Sequence, residues 1–264
     1  MINLNRFLNL GLFAFASVFC IPKALATDVS GTLTSETTWS ASGSPYVVTG
    51  SVLVRERVKL TVEAGVEVRF DSGTSLQVFG ELVARGTLSS GITFTSAQDS
   101  KAAGDWGQIV FYDSSVDASY DGNGDYASGS ILEYCTVEYG SGILLKLGNP
   151  FINQSTIRYH SGTGIKMDSH ETANSTATIK ITNNTISNNT NSGIYLYGMG
   201  VVVISGNTIS DNIGSSGGGI HGGGYNTTIS DNTIENNKAG RYESSPDGSV
   251  FRLEGSGGGI ICGS

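Results

Sequence analysis

The chain has 264 residues, a formal charge of −8 and three cysteines against 37 glycines. Its acidic balance argues against a nucleic-acid partner, whose phosphates would repel it. It leaves open anionic polysaccharides, which calcium can bridge, and it has too few cysteines to be a disulfide-stapled scaffold, so stability must come from a core.

In chain order, the first element is a targeting signal. Arg6 gives a positive start, Phe7 to Ile21 is mostly apolar, and Ala24-Leu25-Ala26 has the small-x-small form of a cleavage site. This reads as a signal peptide over residues 1–26, cut before Thr27. The apolar run is shorter than the roughly 20 residues a membrane span needs, and no later stretch is long enough. Cleavage removes Arg6 and Lys23 and no acid, so the charge moves from −8 to −10. The expected location is secreted, periplasmic or cell-surface, with one domain over residues 27–264.

Next come short alternating segments: Val52-Leu-Val54, Leu60-Thr-Val62, Val66-Glu-Val68-Arg-Phe70, Leu76-Gln-Val78, Leu82-Val-Ala84 and Ile92-Thr-Phe94. Alternation predicts strands, and Gly and Ser between several of them predict turns. Helix signals are nearly absent.

A repeat then takes over. Ile-x-x-Asn-x-Ile-x-x-Asn occurs at 181–189, 204–212 and 229–237, with degenerate copies at 152–160 and 132–140. Each copy is followed by a Gly-apolar pair: Gly142-Ile143, Gly164-Ile165, Gly193-Ile194, Gly219-Ile220 and Gly259-Ile260. The Asn-type positions 135, 155, 184, 207 and 232 lie 20, 29, 23 and 25 residues apart. Constant anchors with variable spacing imply one coil per repeat, with loops inserted between fixed strands. A single coil cannot bury its own apolar face, whereas stacked coils can. The expected fold is therefore all-β: a right-handed parallel β-helix of about nine coils, by dividing the mature length by roughly 20–25 residues. Isoleucine columns would fill its interior. The Asn column would sit at a turn, in left-handed backbone, bonding to the coil above or below. The Asn-x-Thr triplets are by-products of that column rather than glycosylation sites. His160 occupies an Asn-type position and reads as a stacked structural residue. Trp39 and Trp106 read as packing residues.

The segments Ser44–Gly50, Leu60–Phe70, Gly80–Gly86, Ile92–Ser96 and Trp106–Phe111 resemble the opening of many bacterial surface β-helix proteins. The later coils resemble the parallel β-helix repeats of pectate-lyase-like proteins. The likeness covers nearly the whole mature chain. It implies the fold but no one activity, since this scaffold hosts lyases, hydrolases, epimerases, adhesins and sugar binders.

The sequence ends within a coil at Gly259-Ile-Ile-Cys-Gly-Ser264. The expectation is a missing C-terminal cap, with a further domain or partner covering the open end. Cys135 and Cys262 fall several coils apart, on the order of 20 Å at the strand spacing. That is too far for a disulfide, so both should be free thiols.

Chemistry should sit on the strand after each Gly-apolar pair. Ile109, Ile143, Ile165, Ile194 and Ile220 point inward, so Val110, Leu144, Lys166, Tyr195 and His221 point outward. Two residues on, Tyr112, Lys146, Asp168, Tyr197 and Gly223 also face out. Tyr112, Lys146, Lys166, Tyr195, Tyr197 and His221 thus form a candidate polysaccharide groove, in which tyrosines stack on sugars and lysines pair with carboxylates. The alternative is an ordinary solvated sheet face.

Asp168-Ser-His-Glu171 loosely resembles the Asp-Pro-His-Asp/Glu signature of alginate epimerases and related lyases, with Ser169 in place of proline. The resemblance implies Asp168 and His170 beside the sugar ring, Lys146 or Lys166 neutralising the uronate and Tyr195 exchanging a proton. The chemistry would be abstraction of the C5 proton. The alternative is a polar loop with one exposed histidine. Pectin hydrolases of this fold use an Asp-Asp pair, which the chain lacks, so glycoside hydrolysis is not expected.

Asp121-Gly-Asn-Gly-Asp125 is the candidate calcium loop, with oxygen ligands from Asp121, Asn123 and Asp125. Its alternative is a flexible acidic loop. Three readings follow: a non-catalytic polysaccharide binder, a polyuronate lyase or C5-epimerase, and the structural stalk of an adhesin-like protein.

Overall fold

In the computed structural model, the described residues are 25–168, 178–198, 200–215, 217–222, 226–240, 242–244, 250–252 and 258–261. The expected signal peptide, His170 and Cys262 lie outside them, apart from residues 25 and 26 of the signal.

Each coil lays down three short strands, one on each of three parallel faces. The first face stacks Thr37–Trp39, Lys59–Val62, Glu81–Arg85, Ile131–Glu133, Phe151–Asn153, Thr178–Thr182, Val201–Ser205 and Asn226–Ser230. The other two faces begin together in the long strand Tyr46–Val54, because Gly50 and Ser51 let it bend without ending. Its first half pairs with Glu67–Phe70 and its second with Leu76–Val78. The second face continues through Ile92–Ser96, Cys135–Glu138, Thr156–Arg158, Thr185–Ser187, Thr208–Ser210 and Thr233–Glu235. The third continues through Ile109–Tyr112, Ile143–Lys146, Ile165–Asp168, Ile194–Tyr197, Ile220–Gly222 and Ile260–Ile261. The first face has eight strands among the described residues, close to the nine coils expected. Thr27–Leu33 lies against Tyr46–Val54 at the start of the stack.

Inward positions form the predicted columns. One runs Ala84, Leu132, Ile152, Ile181, Ile204, Ile229. A second runs Phe94, Val137, Ile157, Ile186, Ile209, Ile234. The third runs Ile109, Ile143, Ile165, Ile194, Ile220, Ile260. Most members are fully buried, each worth roughly 1.5–3 kcal/mol of apolar transfer. Trp39 stacks on Tyr46, and Trp106 stacks on Phe70 at 4.1 Å while donating its Nε1–H to Glu138 O at 2.9 Å. Both tryptophans are packing residues, as expected.

The asparagines form two ladders. In the first, the amide N–H groups of Ser155, Asn184 and Asn207 donate to the side-chain oxygens of Asn184, Asn207 and Asn232, each at 2.9 Å. In the second, His160, Asn189 and Asn212 donate likewise to Asn189, Asn212 and Asn237. The expected left-handed backbone falls one residue earlier, at Asn183, Gly206 and Asp231 in the first ladder and Asn188, Asp211 and Asn236 in the second. The ladder asparagine must aim its amide along the axis, so the preceding residue makes the turn.

The Gly-apolar pairs have a steric cause. A Cβ on Gly164 would lie 2.7 Å from Gly193 O, and one on Gly219 would lie 2.5 Å from Gly259 O. The next coil's backbone passes where a side chain would be. Cys135 is a buried free thiol at the base of the first ladder, its N–H donating to Ser155 Oγ at 3.0 Å. Burial pushes its thiol pKa well up.

Candidate functional site

The third face shows the expected alternation. The inward Ile109, Ile143, Ile165, Ile194 and Ile220 are all fully buried. Between them Gln77, Val110, Leu144, Lys166, Tyr195 and His221 pair in one outward row. Two positions on, Tyr112 pairs with Lys146 and Asp168 with Tyr197. Five of the six residues expected in the groove are half-buried or exposed side by side with the sixth, Tyr197, which is 48% exposed. Val110 is buried despite facing out.

The groups touch along the solenoid axis. Phe79, a residue the sequence pattern did not single out, stacks on Tyr112 with ring centroids 4.0 Å apart and planes 7° apart. Lys146 Nζ lies 5.6 Å from the Tyr112 centroid. Lys166 Nζ is 3.2 Å from Asp168 Oδ2 and 5.9 Å from the Tyr195 centroid. Tyr195 meets His221 edge to face at 4.8 Å. A cation or another ring therefore lies against the tyrosines at 112 and 195, so the strip offers solvent more ring edge and hydroxyl than open ring face.

For proton abstraction, Lys166 and Asp168 are placed against each other, so each neutralises the other's charge. Lys146 is exposed and has no acidic partner among the described residues. It is the available cation of the strip.

The Asp121–Asp125 loop joins two antiparallel strands, Ser119–Tyr120 and Tyr126–Ser128. Asp121 Oδ1 accepts from the N–H groups of Asn123 and Asp125, both at 2.9 Å. Lys180 donates to Gly124 O at 2.6 Å and lies 3.9 Å from the Tyr120 centroid. No group of three or more His, Cys, Asp or Glu able to hold a metal occurs among the described residues. The hairpin covers Phe151 on the first face, with Tyr126 stacked on it and Tyr120 at its edge. It explains how apolar Ile131 and Phe151 occupy outward positions. Sequence reading treated the acidic tip as the feature and missed the aromatic pair behind it, although Tyr120 and Tyr126 flank the loop.

A second polar cluster was also missed. Glu138, 7% exposed on the second face, accepts from Thr95 Oγ1 at 3.0 Å and pairs with Arg158 at 2.8 Å. Its members lie 20 and 43 residues apart in sequence, and only the coil register brings them together.

Among the described residues no helix is long and apolar enough to cross a membrane. Comparison with known families gives two matches, the pectate-lyase like beta helix domain over residues 31–146 and the right handed beta helix region over residues 171–262. No curated protein and no solved structure gives a significant match. Three parallel faces, repeated coils and these two matches make the chain a right-handed parallel β-helix of the pectate-lyase-like type.

Proposed function

We propose that this chain is a secreted or cell-surface carbohydrate-binding β-helix that holds a polysaccharide along its third face without cleaving it. The observation that carries this reading is the strip itself. Phe79, Tyr112, Lys146, Lys166, Tyr195 and His221 follow one another across adjacent coils. Six coils span about 24 Å, five strand spacings, which accommodates several sugar residues. Ring edges and hydroxyls supply hydrogen bonds, and Lys146 supplies a charge for a uronate carboxylate. The Lys166–Asp168 pair favours binding over proton abstraction, because a base held against an ammonium is a weak one.

The test is retention of the full chain in gels containing alginate, pectate or neutral glycans, with and without calcium. Absorbance of unsaturated uronate products is followed in parallel. Retention without product supports the binding reading. Product formation would replace it with a lyase, for which Lys166→Ala and His170→Ala are the diagnostic variants. Neither signal would leave the β-helix as a structural stalk.

A further inference from the structure

The second face repeats one residue at one outward position through six coils. Thr93, Thr136, Thr156, Thr185, Thr208 and Thr233 pair each with the next. Neighbours stand about 4.8 Å apart, the strand spacing. Thr185 and Thr233 are exposed and the other four half-buried. None of the six hydroxyls has a hydrogen-bond partner among the described residues, whereas that of Thr95 on the same face and that of Thr182 on the first face do. Branching at Cβ restricts χ1, so each methyl and hydroxyl has a defined direction.

Strand propensity favours threonine but does not explain this uniformity. The matching outward row of the first face runs Val83, Ile131, Phe151, Lys180, Val203, Thr228. That of the third runs from Gln77 to His221 with no residue repeated. Only the second face keeps one uncharged side chain over six successive coils, from Thr93 to Thr233, after the row opens at Glu67. Two positions on, the adjacent row runs Glu138, Arg158, Ser187, Ser210 and Glu235, with Ser187 buried and Glu138 lying low, bonded to Thr95 and Arg158.

A row of equivalent neutral groups gains from every member only against a ligand that repeats at the same step. Ice is such a ligand: its oxygens repeat along one axis within a few tenths of an ångström of the strand spacing. Alternate methyls and hydroxyls on a rigid row can order the first layer of lattice water. We infer that the threonine row of the second face binds ice, independently of the third-face strip.

The test is thermal hysteresis and ice-crystal shaping by the full chain. Faceted growth and measurable hysteresis are expected. Thr185→Lys and Thr208→Lys should return both to the buffer baseline while leaving the melting transition unchanged. Thr61→Lys, outward on the first face, should keep full activity. Unshaped ice with the wild-type chain would overturn the proposal. So would retention of activity in both row variants. If the row variants instead abolish adsorption to microcrystalline cellulose or chitin while ice grows unshaped, the row belongs to a crystalline neutral polysaccharide and ice is wrong.

Discussion

The backbone N–H of His160 donates to the side-chain oxygen of Asn189 at 3.1 Å, which makes the histidine the foot of a ladder continuing through Asn212 and Asn237. An asparagine at the foot would also reach the previous coil. The imidazole is buried beside the edge of Trp106 and near the backbone of Val137 and Gly140 in the previous coil, with neither ring nitrogen in good hydrogen-bond geometry. Burial lowers its pKa to about 4, against the ordinary 6.5 of the unfolded chain. The unfolded state therefore binds the proton more readily. The stability tied to this group is complete above pH 6.5 and is lost as the pH falls toward 4, by roughly 3 kcal/mol in all. Denaturant unfolding at pH 7.5 and 4.5 should show this loss. His160→Asn should flatten that part of the pH dependence and raise stability at both values.

Asn207 tests the other ladder. Its side-chain oxygen accepts from Asn184 N–H at 2.9 Å, and its amide donates to Ile181 O at 2.8 Å and Asn232 Oδ1 at 2.9 Å. Asn207→Ala would strand a buried donor and a buried acceptor between coils. The expected loss is about 3 kcal/mol, read from the denaturation midpoint. Asn183→Ala, at the exposed turn residue of the preceding coil, should cost about 1–2 kcal/mol, as strained left-handed backbone and the loss of its amide's bond to Asn153 Oδ1.

The columns were legible in sequence because a coil repeat is a local pattern: Ile181, Ile186, Asn184 and Asn189 announce themselves at fixed spacing, and so does the Gly193-Ile194 pair. Alternation then fixed which side of each third-face strand looks outward, which is why Lys146, Lys166 and Tyr195 could be named together. What alternation does not carry is contact along the axis. Phe79 stacks on Tyr112 from 33 residues away, and Lys166 pairs with Asp168. Those choices depend on loop length between coils and on side-chain rotamers, which no spacing encodes. The carboxylate geometry of the Asp121–Asp125 loop is likewise set by the hairpin that carries it, which spacing does not encode.

Arg158 and Glu138 give a direct measure of the buried pair on the second face. Arg158→Met would leave the Glu138 carboxylate 7% exposed with only Thr95 bonded to it. Because the arginine side chain is itself 40% exposed, the cost should be about 2 kcal/mol, below that of a fully buried pair. Combining Arg158→Met with Glu138→Gln should recover part of this loss. A double-mutant cycle on thermal midpoints reads the coupling, and strict additivity would contradict it.

The two lysines of the third face should behave differently toward a polyuronate. Lys166 is already paired at 3.2 Å with Asp168, so its ammonium is shared between that carboxylate and the ligand. Lys146 has no such partner among the described residues and presents its charge over Tyr112. Lys146→Ala should weaken binding to alginate or pectate roughly fivefold at low salt, the worth of one exposed ion pair. That difference should shrink as ionic strength rises. Asp168→Asn should do the opposite and tighten binding, by releasing Lys166 to the ligand. Titrations at two salt concentrations distinguish these outcomes, and equal effects of Lys146→Ala and Asp168→Asn in the same direction would remove the strip as the polyuronate contact.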